Sequence, residues 1–277
     1  MRNINKIDLM PDDESPFANA VARQKTGAIA LVKHALLGGR ATLAFQPVMA
    51  ALNPRKTIFH EGLIRVPDEN GRIIPARDFM PHVEETELGR QVDCAALEIG
   101  LRHLSLAPDL RISINLSARS IGYGKGNDIL GRSLRRDPDI GNRLILEITE
   151  SSTILLPDLV LSFMKDLRKR GITFALDDFG AGTTSFRYLR DFNFDIVKID
   201  EQFVRNVATD PDNQVLIQAL ISIAEHFGMH TVAEAVENII DSNWLAAHGI
   251  DCLQGYYWGA PTMTPPWIQP QNSDMSS

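Results

Sequence analysis

A chain of 277 residues with 28 basic and 35 acidic side chains carries a formal charge of −7 at pH 7, which argues against a surface that grips long nucleic acids through phosphate contacts. Its 44% hydrophobic and 23% charged residues suit a soluble globular protein. No apolar run approaches the roughly 20 residues that cross a bilayer. Residues 1–15 are polar, without a signal peptide's apolar core. Cys94 and Cys252 stand far apart with neither metal nor redox spacing, which fits reduced thiols in a cytoplasmic protein.

In chain order, residues 1–15 read as a flexible leader. Ser15-Pro16 then reads as an N-cap with Pro at the first helical position, opening a helix that ends near Gly38-Gly39. Strand-like runs follow at Thr42–Val48, Ile58–Ile64, Arg111–Leu116, Leu144–Ile148, Thr173–Leu176, Asp195–Ile199 and Thr231–Ala233, with a weaker eighth near Asp251–Leu253. The first two are joined by only a short turn at Asn53-Pro54, so that pair is expected to be antiparallel. Between later strands, one helix is expected from Pro157 to Gly171 with Leu159, Val160, Phe163, Met164 and Leu167 on its buried face. A second is expected from Pro211 to Gly228 with Val215, Leu216, Ala219, Leu220 and Ile223 inward. Strands alternating with helices predict an α/β fold with a mainly parallel sheet, doubly wound or closed into a barrel. Nothing divides the chain, so one stand-alone domain over residues 16–262 is expected, followed by a flexible tail over 263–277.

Polar residues recur at the strand ends: Glu61, Asn115, Glu147, Asp177-Asp178, Lys198, Glu234 and Gln254. In a closed barrel these ends converge on one face, where active sites are built. Five carboxylates brought together empty would repel one another. Mg²⁺ or Mn²⁺ resolves that conflict, because hard cations take carboxylate and amide oxygens. Two such cations form a clamp for attack on a phosphodiester, with Lys198 placed to orient water or offset developing charge.

These residues fall in strings that resemble the EAL domain family, the bacterial cyclic-di-GMP phosphodiesterases. The strings are Phe45-Gln46-Pro47, Glu61-Gly62-Leu63-Ile64-Arg65, Asn115-Leu116-Ser117, Glu147-Ile148-Thr149-Glu150, Asp177-Asp178-Phe179-Gly180-Ala181-Gly182, Lys198-Ile199-Asp200, Ala233-Glu234-Ala235-Val236-Glu237 and Gln254-Gly255-Tyr256. The resemblance implies a modified (β/α)₈ barrel of the TIM type with its first strand antiparallel, and hydrolysis of cyclic di-GMP to linear pGpG with two Mg²⁺ or Mn²⁺ ions. It implies that Glu61, Asn115, Glu147 and Asp177 hold one metal, and that Asp177 and Asp178 hold the other. Lys198 would act on the attacking water and Glu234 would complete the site. Arg65 and Leu63 would contact substrate, Gln46 and Gln254 would line the pocket, and Glu150 would steady the loop after Asp178. That loop would also join two copies in a homodimer. The second reading is a barrel that binds cyclic di-GMP, or docks a partner, without turnover.

The chain departs from the family at Gly62, where the signature has Ala and where glycine is expected to loosen the strand end. It also departs at Thr183-Thr184 in the loop, and at Ala235, a mild change from Gly. Tyr256, Tyr257 and Trp258 are open to two readings, stacking on a guanine or packing at barrel closure. His60 is expected to face away from the site, and His226 with His230 are too few for zinc.

Overall fold

The computed structural model describes residues 16–150, 153, 156–181 and 186–268. The expected leader, Gly182, Thr183, Thr184 and the chain beyond residue 268 lie outside them. Helix α1 (Pro16–Leu37) ends as expected at Gly39, which takes φ of 59°. Strand β1 (Thr42–Ala50) turns through Ala51 and Leu52 into β2 (Asn53–Pro67), so the turn precedes Asn53-Pro54, which already belong to the strand. A short β3 (Ile73–Pro75), absent from the sequence reading, pairs back on the outer end of β2. Next come α2 (Ala76–Val83), α3 (Glu87–Leu106), β4 (Ile112–Asn115), α4 (Gly124–Arg136), β5 (Leu144–Thr149) and α5 (Pro157–Arg168). The chain continues through β6 (Thr173–Phe179), α6 (Phe186–Phe192), β7 (Ile196–Ile199), α7 (Glu201–Val204), α8 (Pro211–His226), β8 (His230–Ala233), α9 (Ile239–Ala247) and β9 (Cys252–Gln254).

Eight strands close a ring in the order β1-β9-β8-β7-β6-β5-β4-β2, completed by β1–β2 pairing. Strand β1 is antiparallel to both neighbours, and the other ring neighbours are parallel. This is the (β/α)₈ barrel with a reversed first strand. Helices cover its outside, burying Phe45, Ile64, Ile112, Ile114, Leu146, Phe174 and Val197 against them.

Strand alternation builds the inside in layers. Phe59, Ile145, Ala175, Ile196, Val232 and Cys252 form a buried apolar cluster with Val48. Two positions further along their strands stand Glu61, Glu147, Asp177, Lys198, Glu234 and Gln254. On β1 the order is inverted, Gln46 before Val48, because that strand runs the other way. The polar layer therefore sits at the C-terminal mouth of the parallel strands, on an apolar floor.

Two helix faces differ from expectation. Leu159 is exposed on α5, whose buried residues are Val160, Met164 and Leu167. On α8 the buried residues are Ile217, Leu220 and Ala224, whereas Val215 and Leu216 are 67% and 44% exposed and Ala219 is exposed too. That helix carries two apolar stripes, and periodicity alone does not choose between them. The tail expected from residue 263 begins on the barrel: Trp267 packs edge-on against Phe45 and His60.

Candidate active site

The centre of the polar layer is Lys198. Its Nζ lies 2.7 Å from Glu234, 2.8 Å from Glu147, 3.0 Å from Asp177 and 3.3 Å from Glu61. Lys198 and Glu147 are each only 1% exposed. A buried ammonium survives only with such company, since its desolvation must be offset by nearby opposite charge. Asn115 donates through Nδ2 to Glu61 Oε1 at 2.8 Å, and Gln254 donates to Glu61 Oε2 at 2.6 Å. Gln46 accepts from Gln254 and donates to the Gly259 carbonyl.

These contacts divide the carboxyls into unlike groups. Burial alone would raise Glu61, but the Lys198 charge and hydrogen bonds from Gln254, Asn115 and Lys198 bring it below the usual carboxylate value. Glu147 is pushed up to about 8 by burial and by the Glu61 charge, against the pull of Lys198. Burial, with repulsion from Asp177 and Glu61, raises Glu234 well above its ordinary value. Partial desolvation and the adjacent Asp177 raise Asp178 to about 6. Burial opposes the charge on Lys198, yet Asp177, Glu147, Glu234 and Glu61 together hold it well above the usual lysine value. One cation thus does not offset all of these carboxyls, and burial with mutual repulsion pushes Glu147, Glu234 and Asp178 toward their protonated forms.

The residues fit divalent cations. Glu147 Oε1 is buried without a hydrogen-bond partner. Asp177, Asp178 and Glu234 each offer an oxygen within 4.8 Å of the others. All are hard oxygen donors of the kind that suits Mg²⁺ or Mn²⁺. The grouping differs in detail from the expected ligand sets, because Glu234 joins the two aspartates and Lys198 occupies the midst of Glu61, Glu147 and Asp177.

Above this floor opens a cavity of about 790 Å³, lined by Gln46, Glu61, Leu63, Arg65, Asp178, Glu234 and Gln254. All four expected substrate contacts reach it, whereas Asn115, Glu147, Asp177 and Lys198 lie beneath as its supports. Glu150 is buried and accepts from Gly180 N–H at 3.2 Å, tying the end of β5 to the turn after Asp178. Gly180 has φ of 94°, and a side chain there would strike the Phe203 ring. Tyr256 and Trp258 divide the two aromatic readings, since Tyr256 is 59% exposed on the cavity wall and Trp258 packs on the core.

The sequence reading missed the far wall, Arg77, Asp200, Glu201, Arg205 and Glu237. Arg205 bridges Glu201 and Glu237 at 2.8 and 3.0 Å. Asp200 and Glu237 enter the sequence reading only as the ends of their strings, although the position of Asp200 two residues past Lys198 is a usable signal. Arg205 follows a four-residue helix, too short for periodicity to reveal.

Residues 30–261 match the model of the EAL domain. The chain belongs to the EAL domain family. This EAL domain is 34% identical over 226 residues to the cyclic di-GMP phosphodiesterase PdeB of Shewanella oneidensis, covering 79% of this chain and 26% of that protein. It is 32% identical over 209 residues to the cyclic di-GMP phosphodiesterase PdeL of Escherichia coli, covering 73% of this chain and 57% of PdeL. The chain spans about a quarter to a third of the length of most curated relatives it matches. Among solved structures, the PaMucR phosphodiesterase in complex with c-di-GMP superimposes with a TM-score of 0.77 at 28% identity, over 85% of this chain and 97% of that one. The FimX EAL domain of Pseudomonas aeruginosa bound to c-di-GMP, at 22% identity and a TM-score of 0.78, shares the fold over 86% of this chain and 97% of its own. Among the described residues no helix is long and apolar enough to cross a membrane.

Proposed function

We propose that this EAL domain hydrolyses cyclic di-GMP to linear pGpG with Mg²⁺ or Mn²⁺. The observation that carries the reading is the Lys198-centred carboxylate layer at the mouth of the barrel, open to a cavity large enough for a dinucleotide. Glu61, Asn115, Glu147, Asp177 and Asp178 would hold two cations, with Glu234 beside them. Bound there, the cations would supply positive charge to the phosphodiester and lower the pKa of water.

The protein's own residues do the rest. Lys198 holds the buried carboxylates in register and would orient the attacking water from beneath the cavity. Arg65 and Leu63 would orient phosphate and base from the cavity wall, between Gln46 and Gln254. Glu150 would fix the turn after Asp178 through Gly180 N–H. The same reading carries a homodimer through the loop after Asp178, of which residues 182–185 lie outside those described.

The test is turnover by the purified protein with each cation, beside Glu61→Ala. The reading predicts pGpG from the parent and none from the variant, with the variant still folded. Tight binding of cyclic di-GMP by the parent without product would support the alternative, a receptor that does not turn over.

A further inference from the structure

Asp93 is a buried acid that lies outside the polar layer. It projects from the second turn of α3, is 6% exposed, and has no ion-pair partner among the described residues. Its Oδ2 accepts two hydrogen bonds, from Ser117 N–H at 3.1 Å and from Ser120 Oγ at 2.6 Å. Burial pushes its carboxyl up to about 6, against the lowering effect of those two bonds.

The segment it holds leads directly out of Asn115. Leu116 N–H donates to the Glu147 carbonyl at 2.8 Å, so the strand pairing ends just past Asn115. Ser117 Oγ then accepts from Arg119 N–H, opening the 3₁₀ turn Ala118–Ser120. Leu116, Ala118 and Ile121 bury their side chains in the helix-side core. Asp93 is the polar anchor of this segment: one oxygen fixes its first residue past Leu116 and its last turn residue. It ties the segment to α3, which also packs on β2, the strand carrying Glu61.

We infer that Asp93 is a positioning residue that sets the Asn115 amide against Glu61 by clamping the Ser117–Ser120 turn to α3. The inference rests on the proposed role of Asn115 as a metal ligand. Groups behind a metal's ligands fix their orientation, and their loss typically weakens metal binding 10- to 100-fold. What matters here is an acceptor oxygen in place, not a charge. Asparagine can present that oxygen to both donors, and alanine cannot.

The experiment is Mn²⁺ titration of the full chain by calorimetry, with pGpG kinetics as a second readout, for Asp93→Asn, Asp93→Ala, Ser120→Ala and Asn115→Ala. Asp93→Asn should keep the Mn²⁺ Kd within about 3-fold of the parent, while Asp93→Ala should raise it at least 10-fold. In Asp93→Ala, kcat at fixed Mn²⁺ should fall more than KM for cyclic di-GMP rises. Ser120→Ala removes one of the two bonds, leaves the backbone bond, and should raise Kd by a smaller factor. It serves as the test if Asp93→Ala does not fold. Unchanged Mn²⁺ affinity in folded Asp93→Ala and in Ser120→Ala would overturn the inference, as would Asp93→Asn as impaired as Asp93→Ala. If Asn115→Ala itself leaves Mn²⁺ binding unchanged, the ligand assignment fails instead.

Discussion

Ile114 fills the place that a methyl group on residue 62 would need: its Cδ1 lies 2.7 Å from where a Cβ on Gly62 would stand. Gly62 and Ile114 are partners across β2 and β4, and Gly100 on α3 makes the third side of the same pocket. Glycine at residue 62 therefore does not loosen the strand end, as the sequence alone suggested. The space is taken from across the sheet. Restoring the family's alanine by Gly62→Ala forces the Ile114 Cδ1 to move. Overpacking, less the roughly 0.5–1 kcal/mol gained by removing a strand glycine, should leave a net cost of up to about 1 kcal/mol. Adding Ile114→Val should recover most of it, because the clashing methyl is gone. Denaturant unfolding of the single and double variants checks this; a single variant as stable as the parent would contradict it.

Ala235 behaves in the opposite way. It takes φ of 50°, a left-handed conformation that costs an L-residue roughly 1–2 kcal/mol. The substitution from the family's Gly is thus strained rather than mild. Ala235→Gly should raise stability by up to about 1 kcal/mol, after the greater freedom of glycine in the unfolded chain is deducted. Ala233→Gly, in the buried end of β8, should lower stability instead. Parallel thermal melts distinguish the two, and a loss in both would refute the strain at residue 235.

The difference between these two positions indicates what a sequence discloses. Polar residues at successive strand ends marked the groups that the structure brings together, because convergence at the C-terminal mouth is a rule of the fold class. Strand and helix alternation leaves a doubly wound sheet and a barrel open, and only the resemblance to the EAL family chooses the barrel. The reversed β1 was legible from the short connection to β2. Left-handed φ at Ala235, the filling of the Gly62 space by Ile114, and the choice between two stripes on α8 depend on tertiary contacts that no local pattern encodes. Trp267 was misplaced for a related reason, since a Pro-rich segment reads as a tail until the aromatic surface of Phe45 and His60 is seen beside it.

Lys198 is the counter-ion of four carboxyls, and removing its charge should leave them buried without compensation. Lys198→Met should cost about 3–5 kcal/mol in metal-free protein. Millimolar Mn²⁺ should recover part of that loss by replacing the missing charge. Thermal melts with and without Mn²⁺ measure it; a variant as stable as the parent in chelator would contradict the arrangement.

The raised Glu147 carboxyl fixes the sign of a pH effect. Between about 4.5 and about 8 the folded protein retains a proton that the unfolded chain has released. Metal-free stability contributed by this group is therefore complete below 4.5 and declines as pH rises toward 8. Glu147→Gln, which cannot titrate, should show a shallower fall in Tm from pH 5 to 8 in chelator. An equally steep fall in both proteins would show that the slope originates elsewhere.

The central claim is that the Lys198-centred layer is the catalytic floor of a cation-dependent phosphodiesterase. The most direct measurement is chromatographic separation of nucleotides after incubation of the purified protein with cyclic di-GMP, in chelator and in Mg²⁺ or Mn²⁺. The account predicts pGpG accumulating with time only when the cation is present, and none from Glu61→Ala. Cyclic di-GMP left intact by folded, Mn²⁺-loaded protein, or pGpG formed equally in chelator, would contradict it.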